Sequence, residues 1–196
     1  LRAFLPVGDI SLNNYIHAFK HVPMLLFITN SVLVTSLTVI LGLIVNSLAA
    51  YSIAILRWRG RDIVLSLIIA TLIVPFETIV IPMLLMVSRL PWVGLDGVHF
   101  GWFNTYHVQI IPFVANAFSI FLFVQFFKSL PFELVEAARI DGASWYQIFV
   151  KVIAPLSGPV FATVTILTFL PMWNQYLWPT MVIQNEQYRP VMIGLQ

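Results

Sequence analysis

Few side chains in this sequence could do chemistry, and those that stand out suit binding better than bond-making. Glu77 is the one carboxylate inside a long apolar run. Ionisable groups at membrane depth are costly and usually face a cavity or a partner. Pro75 and Pro82 flank it, so irregular backbone is expected there, which lipid tolerates only where it lines water or protein. The competing role is a carboxylate near the interface, bonded to backbone N–H groups freed by the prolines. A second group is Trp173-Asn174-Gln175-Tyr176-Leu177-Trp178. On one helix, Asn174 and Trp178 would share a face, and Pro171 would kink the chain just before them. Amides can hydrogen-bond a polar solute and aromatic rings can cover its apolar faces. The alternative is an interfacial aromatic belt, which leaves Asn174 and Gln175 as the pathway candidates. Asn116, in another apolar run, is a further candidate.

No catalytic constellation accompanies these residues. There is no Gly-x4-Gly-Lys-Ser/Thr run, so no P-loop for ATP, and no His-Glu-x-x-His pair. His17 and His21 are spaced to share a metal but lack a third ligand, and read as solvated loop histidines. Cysteine is absent, which excludes thiolate sites, and a net charge of +2 offers no field for nucleic acid. No cofactor and no metal are expected in this chain.

The charged residues gather in 131–155. Pro131 and Glu133 suit the first turn of a helix. Glu136 and Arg139 can pair on one face. Gly142 can end that helix in the left-handed conformation, and Ser144 with Gln147 forms a capping-box pattern that opens a second. Asp141 has a local turn bond as its competing role. Both helices are too short and too charged to cross a bilayer. Phe132, Val135 and small Ala138 recur at helical spacing beside Ala137, a surface able to fit closely into a groove on another protein. A hairpin lying on lipid headgroups would want more Lys and Arg.

The elements that must position these groups are apolar helices. Sixty per cent of the 196 residues are hydrophobic and 9% are charged, against about a quarter charged in soluble domains. Apolar runs at about 24–56, 63–87, 105–127 and 156–179 are each long enough to cross the hydrocarbon core, which takes ~20 residues. They are too long and too uniformly apolar for barrel strands. The fold class is therefore all-α, a polytopic membrane helix bundle with four spans and a helical hairpin loop. The 57–62 and 128–155 segments hold six of the ten Lys and Arg, and so face the cytoplasm. Glu77 would then lie ~21 Å and Asn174 ~26 Å from that side, in the outer half. Residues 88–104 read as an outer, turn-rich loop. Gly42, Asn46 and Ala50, and Ser31 with Thr35, recur at four-residue spacing and read as close packing inside one subunit. The first residue is Leu1 and the last Gln196, which reads as an internal piece of a longer protein.

Glu136-Ala137-Ala138, three residues, Gly142, nine residues, then Val152-Ile153-Ala154-Pro155 resembles the EAA loop of ABC importer permeases. The family pattern ends Ile-x-Leu-Pro, so Val152 and Ala154 depart from it. Asn30-Ser31, Ala49-Ala50-Tyr51, the Trp173–Pro179 run and Arg139–Ser144 resemble the carbohydrate-uptake branch, most of all the MalG-like member of maltose-type permease pairs. The resemblance implies one transmembrane domain over 1–196, incomplete at both ends, holding the second to fifth of six spans, with residues 129–155 as the cytoplasmic coupling loop. Glu136, Ala137, Ala138, Arg139, Asp141 and Gly142 would then couple to a cytoplasmic ATPase dimer, which alone binds ATP and magnesium. The further implied partners are a second homologous permease, an extracytoplasmic solute-binding protein, membrane lipid and a sugar-like solute. The setting is the cytoplasmic membrane of a bacterium or archaeon. An importer for another small solute is the alternative. A secondary transporter would want midplane carboxylates or inverted repeats, and only Glu77 is available.

Overall fold

The computed structural model describes residues 23–94 and 97–194. His17 and His21 lie outside them. Helix α1, Met24–Ala54, is unbroken and packs along α4, Tyr106–Val114, α5, Ala117–Ser129, and α8, Gly158–Trp173. Its opposite flank leaves Ile40, Ile44 and Leu48 about half exposed, an apolar stripe that matches lipid rather than water. The five small or polar residues at four-residue spacing, Ser31, Thr35, Gly42, Asn46 and Ala50, are all buried within the chain. At Gly42 a Cβ would come within 3.3 Å of the Val114 carbonyl oxygen, so glycine sets how closely α1 approaches α4.

The four apolar runs are not four straight rods. Among the described residues, α1 and the Tyr106–Ser129 stretch are long and apolar enough to cross a membrane. The other two are bent pairs. Helix α2, Arg61–Ala70, with its 3-10 turn Thr71–Ile73, meets α3, Phe76–Val87, at 102°. Pro75 causes the break: it holds Val74 extended, at ψ 115, and opens a new helix. Helix α7, Trp145–Leu156, meets α8 at 78° around Ser157, just after Pro155 and a π-helical turn at Phe149–Ile153.

The stretch expected as a turn-rich loop holds two short antiparallel strands, β1, Pro91–Gly94, and β2, Gly97–Phe100, so the fold is helical with one small hairpin rather than purely helical. Trp92, Val98 and Phe100 are strand formers. Trp92 stacks on His99 at 4.8 Å and meets His107 of α4 at 5.5 Å.

Two apolar cores result among the described residues. One joins Ile53, Phe123, Phe127, Val135, Ile148 and Ile153, at the end of the bundle that carries Arg57, Arg59 and Arg61. The other joins Val80, Val87, Val108, Trp178, Val182 and Ile183. At that second end Asn30 donates to the carbonyls of Gln187 and Arg189, and the Val191 N–H donates to Ser31. This ties the short helices α9, Leu177–Val182, and α10, Val191–Gly194, back onto the bundle.

Candidate functional site: a terminal hairpin and a cavity among broken helices

The hairpin starts with α6, Glu133–Ile140. Its end is a Schellman motif: the Ala143 N–H donates to the Ala138 carbonyl at 3.0 Å and the Gly142 N–H to the Arg139 carbonyl at 3.1 Å. Gly142 supplies the left-handed residue this needs, at φ 80. The Ser144 capping box then opens α7, with both reciprocal bonds to Gln147 present. The turn is thus closed by backbone and cap bonds rather than by ion pairs. Arg139 does not pair with Glu136. It donates to the Ala143 carbonyl at 3.0 Å and lies 4.6 Å over the Trp145 ring. The Asp141 carboxylate is exposed, and no bond holds it among the described residues.

The face expected to dock outward points inward. Val135 is 2% exposed, and Phe132 and Ala138 pack beside it against the same core as Ile148. The Tyr51 hydroxyl donates to the Trp145 carbonyl at 3.0 Å, and Arg57 lies 5.1 Å over the Phe132 ring. The hairpin is therefore packed against the ends of α1 and α5. What it presents outward is Glu133, Glu136, Ala137, Ile140 and Tyr146; Ile140 is 86% exposed and Tyr146 73%.

The second site is a cavity of about 390 Å³ between α3, α4, α5 and α8, lined among others by Phe76, Phe113, Asn116, Phe118, Thr168 and Gln175. It lies where the helices break. Between α4 and α5 the chain is extended at Ala115 and Asn116. Asn46 of α1 satisfies the groups freed there: its Nδ2 donates to the Val114 carbonyl at 3.0 Å and its Oδ1 accepts from the Asn116 N–H at 2.9 Å. Asn116 itself caps α5, its Oδ1 accepting from the N–H and hydroxyl of Ser119. A backbone N–H can only donate, so Oδ1 is fixed in place and the Asn116 Nδ2 is turned elsewhere. Pro112 has no N–H for the Val108 carbonyl one turn earlier, and the indole of Trp178 donates there instead at 2.8 Å.

Of the four residues expected on a pathway, Asn116 and Gln175 line this cavity and Glu77 and Asn174 do not. Glu77 lies exposed in the first turn of α3, where the helix dipole favours it. No bond to a freed N–H holds it among the described residues. Helix α8 ends at Trp173, so Asn174 and Trp178 share no helix face. Asn174 folds back to donate to the Leu170 carbonyl at 2.8 Å. Nor is Trp178 part of an interfacial belt, since it is fully buried against Phe113. The sequence gives no sign of Thr168 and suggests only close packing for Asn46; Pro112, four residues before Asn116, is the available signal of a helix break.

Comparison with known proteins adds three kinds of similarity. The pattern of the binding-protein-dependent transport system inner membrane component family matches residues 39–195. The arabinooligosaccharides transport system permease protein AraQ of Halalkalibacterium halodurans is 33% identical over 189 residues, which is 96% of this chain and 64% of the relative. The lactose transport system permease protein LacG of Rhizobium radiobacter is 31% identical, over 97% of this chain and 66% of its own length. The sn-glycerol-3-phosphate transport system permease protein UgpE of Pectobacterium atrosepticum is 35% identical, over 89% and 58%. A chain in the crystal structure of a bacterial ABC transporter involved in the import of the acidic polysaccharide alginate superposes with a TM-score of 0.82 at 27% identity, over 96% of this chain and 63% of that one. The chain thus spans less than two thirds of the length of these relatives.

Proposed function

Because this chain belongs to the binding-protein-dependent transport system inner membrane component family, we propose that it is the permease subunit of an ATP-binding-cassette importer for a sugar or sugar-like solute. It crosses the cytoplasmic membrane of a bacterium or archaeon several times, each bent pair counting as one span, with the hairpin on the cytoplasmic side. The basic 57–61 turn and the hairpin sit at one end of the bundle, as the Arg57–Phe132 contact requires, which agrees with the bias of Lys and Arg toward the cytoplasm. The chain supplies half of the solute pathway and no catalysis. A separate ATPase dimer binds ATP and magnesium, a second homologous permease completes the pathway, and an extracytoplasmic solute-binding protein delivers the solute.

The hairpin is the observation that carries this reading. A lever needs a rigid body, a firm root and a free tip. The Schellman turn and capping box give the first, burial of Val135 and Ile148 gives the second, and exposed Glu136, Ala137, Ile140 and Tyr146 give the third. The test is ATP-driven uptake by the assembled complex. Gly142→Val should lower uptake at least tenfold, because a β-branched residue is strained at φ 80 by about 1–3 kcal/mol. Gly142→Asn should retain most of it, since Asn tolerates that conformation. Glu136→Lys should weaken ATPase assembly. Wild-type uptake and assembly in Gly142→Val and Glu136→Lys would refute the coupling role.

A further inference from the structure

The cavity among the broken helices carries no charged side chain in its lining. Resting on the reading of this chain as half of a solute pathway, we propose that the cavity is a subsite for an uncharged, polyhydroxylated solute and rejects phosphorylated or carboxylated ones. Its volume, about 390 Å³, falls within the ~300–1,000 Å³ of small-molecule sites. Its polar groups are neutral and available. The Asn116 Nδ2 has no acceptor among the described residues, because only its Oδ1 is engaged, by Ser119. The Gln175 amide and the Thr168 hydroxyl likewise have no hydrogen bond among the described residues. Phe76, Phe113 and Phe118 supply the apolar walls. A sugar presents hydroxyls at its rim and C–H groups on its faces, so both kinds of lining are matched.

An anionic solute is not matched. Taking a carboxylate or phosphate out of water costs several kcal/mol unless a cation or a dense set of donors replaces that water. The described cations lie elsewhere: Arg57, Arg59, Arg61, Lys128, Arg139 and Lys151 at the hairpin end, Arg89 and Arg189 at the other. The one ionisable residue on the cavity-forming stretch of α3 is Glu77, next to lining residue Phe76 and of the wrong sign.

The experiment is equilibrium binding of radiolabelled solutes to the assembled membrane complex without its solute-binding protein, so that the selectivity read belongs to the membrane subunits. The probes are uncharged mono- to trisaccharides and the matching sugar phosphates and uronates. At least one uncharged probe should bind saturably and resist displacement by a large excess of its anionic counterpart. Gln175→Leu and Asn116→Ser, the latter keeping a capping oxygen, should each weaken that binding about five- to tenfold, the loss of one neutral hydrogen bond. An anionic probe that binds as tightly as its uncharged counterpart overturns the proposal, as does wild-type affinity in both variants or no saturable binding by any probe. ATP-driven uptake by the complete importer, measured in parallel, separates the two readings. Uptake that persists while the selectivity fails sinks this inference alone; absence of all uptake sinks the permease reading as well.

Discussion

The hairpin end and the cavity end of this molecule differ in how their backbone polar groups are satisfied. At the hairpin, the helix ends close on themselves, through Ala143 to Ala138, Gly142 to Arg139 and the Ser144–Gln147 box. All partners lie within a few residues, and apolar packing of Val135 and Ile148 fixes the unit to the spans. At the cavity, prolines and an extended pair open the helices, and the partners come from distant elements: Asn46 for Val114 and Asn116, Trp178 for Val108. A locally closed unit moves as one body. A site closed by long-range bonds can be opened by shifting one helix against another. In the proposed permease, that division would separate a lever from a gate.

The contrast is broken most severely at the root of the lever. Ile148 is fully buried between Val135 and the ends of α1 and α5. Ile148→Ala should cost about 2–5 kcal/mol of stability, the usual range for deleting a buried aliphatic side chain. The surface turn stays intact in this variant. ATPase assembly should therefore survive while uptake per ATP hydrolysed falls, because the tip no longer drives the spans. Thermal unfolding in detergent and coupled uptake assays check both. Equal loss of assembly and of coupling would mean that the hairpin is not a separable rigid body.

A smaller effect tests the long-range bonds. Trp178→Phe removes the indole donor that reaches the Val108 carbonyl, and should cost about 1–3 kcal/mol for the group that loses this partner. Pro112→Ala restores an N–H one turn after Val108. In that background Trp178→Phe should cost measurably less, since the helix can bond its own carbonyl. Thermal midpoints of the four proteins in this cycle give the coupling. An unchanged penalty would show that the indole acts by packing on Phe113 alone.

The hairpin was readable from sequence for the same reason that it is rigid. Its helix start, turn glycine and capping box all lie between Pro131 and Gln147, and each is a local rule. The apolar runs were also legible, since composition demands them. Local rules fail for the cavity. Nothing in residues 61–87 states the angle at Pro75, because a proline fixes the break but neighbouring helices fix the direction. The partnership of Asn46 with Asn116 spans 70 residues. The inward turn of Phe132, Val135 and Ala138 followed from what the spans leave uncovered, which spacing alone does not reveal. The strand pair at 91–100 did have a local signal, in the β-formers on either side of Gly94-Leu95-Asp96-Gly97, and it was masked by the glycines.

Glu77 gives the smallest expected effect, and it locates the border of the cavity. If the carboxylate worked in the cavity, its charge would need a partner or would face the lining. It has neither among the described residues: it is exposed in the first turn of α3, outside the cavity wall. Glu77→Gln removes the charge and keeps the shape. Loss of a favourable dipole contact at an exposed helix start is worth about 0.3–1 kcal/mol at most. Stability should therefore shift within that range, and uptake of an uncharged solute should stay within twofold of wild type. A tenfold loss in Glu77→Gln would move the border of the cavity to include α3's first turn, and would place a charge where its lining is otherwise neutral.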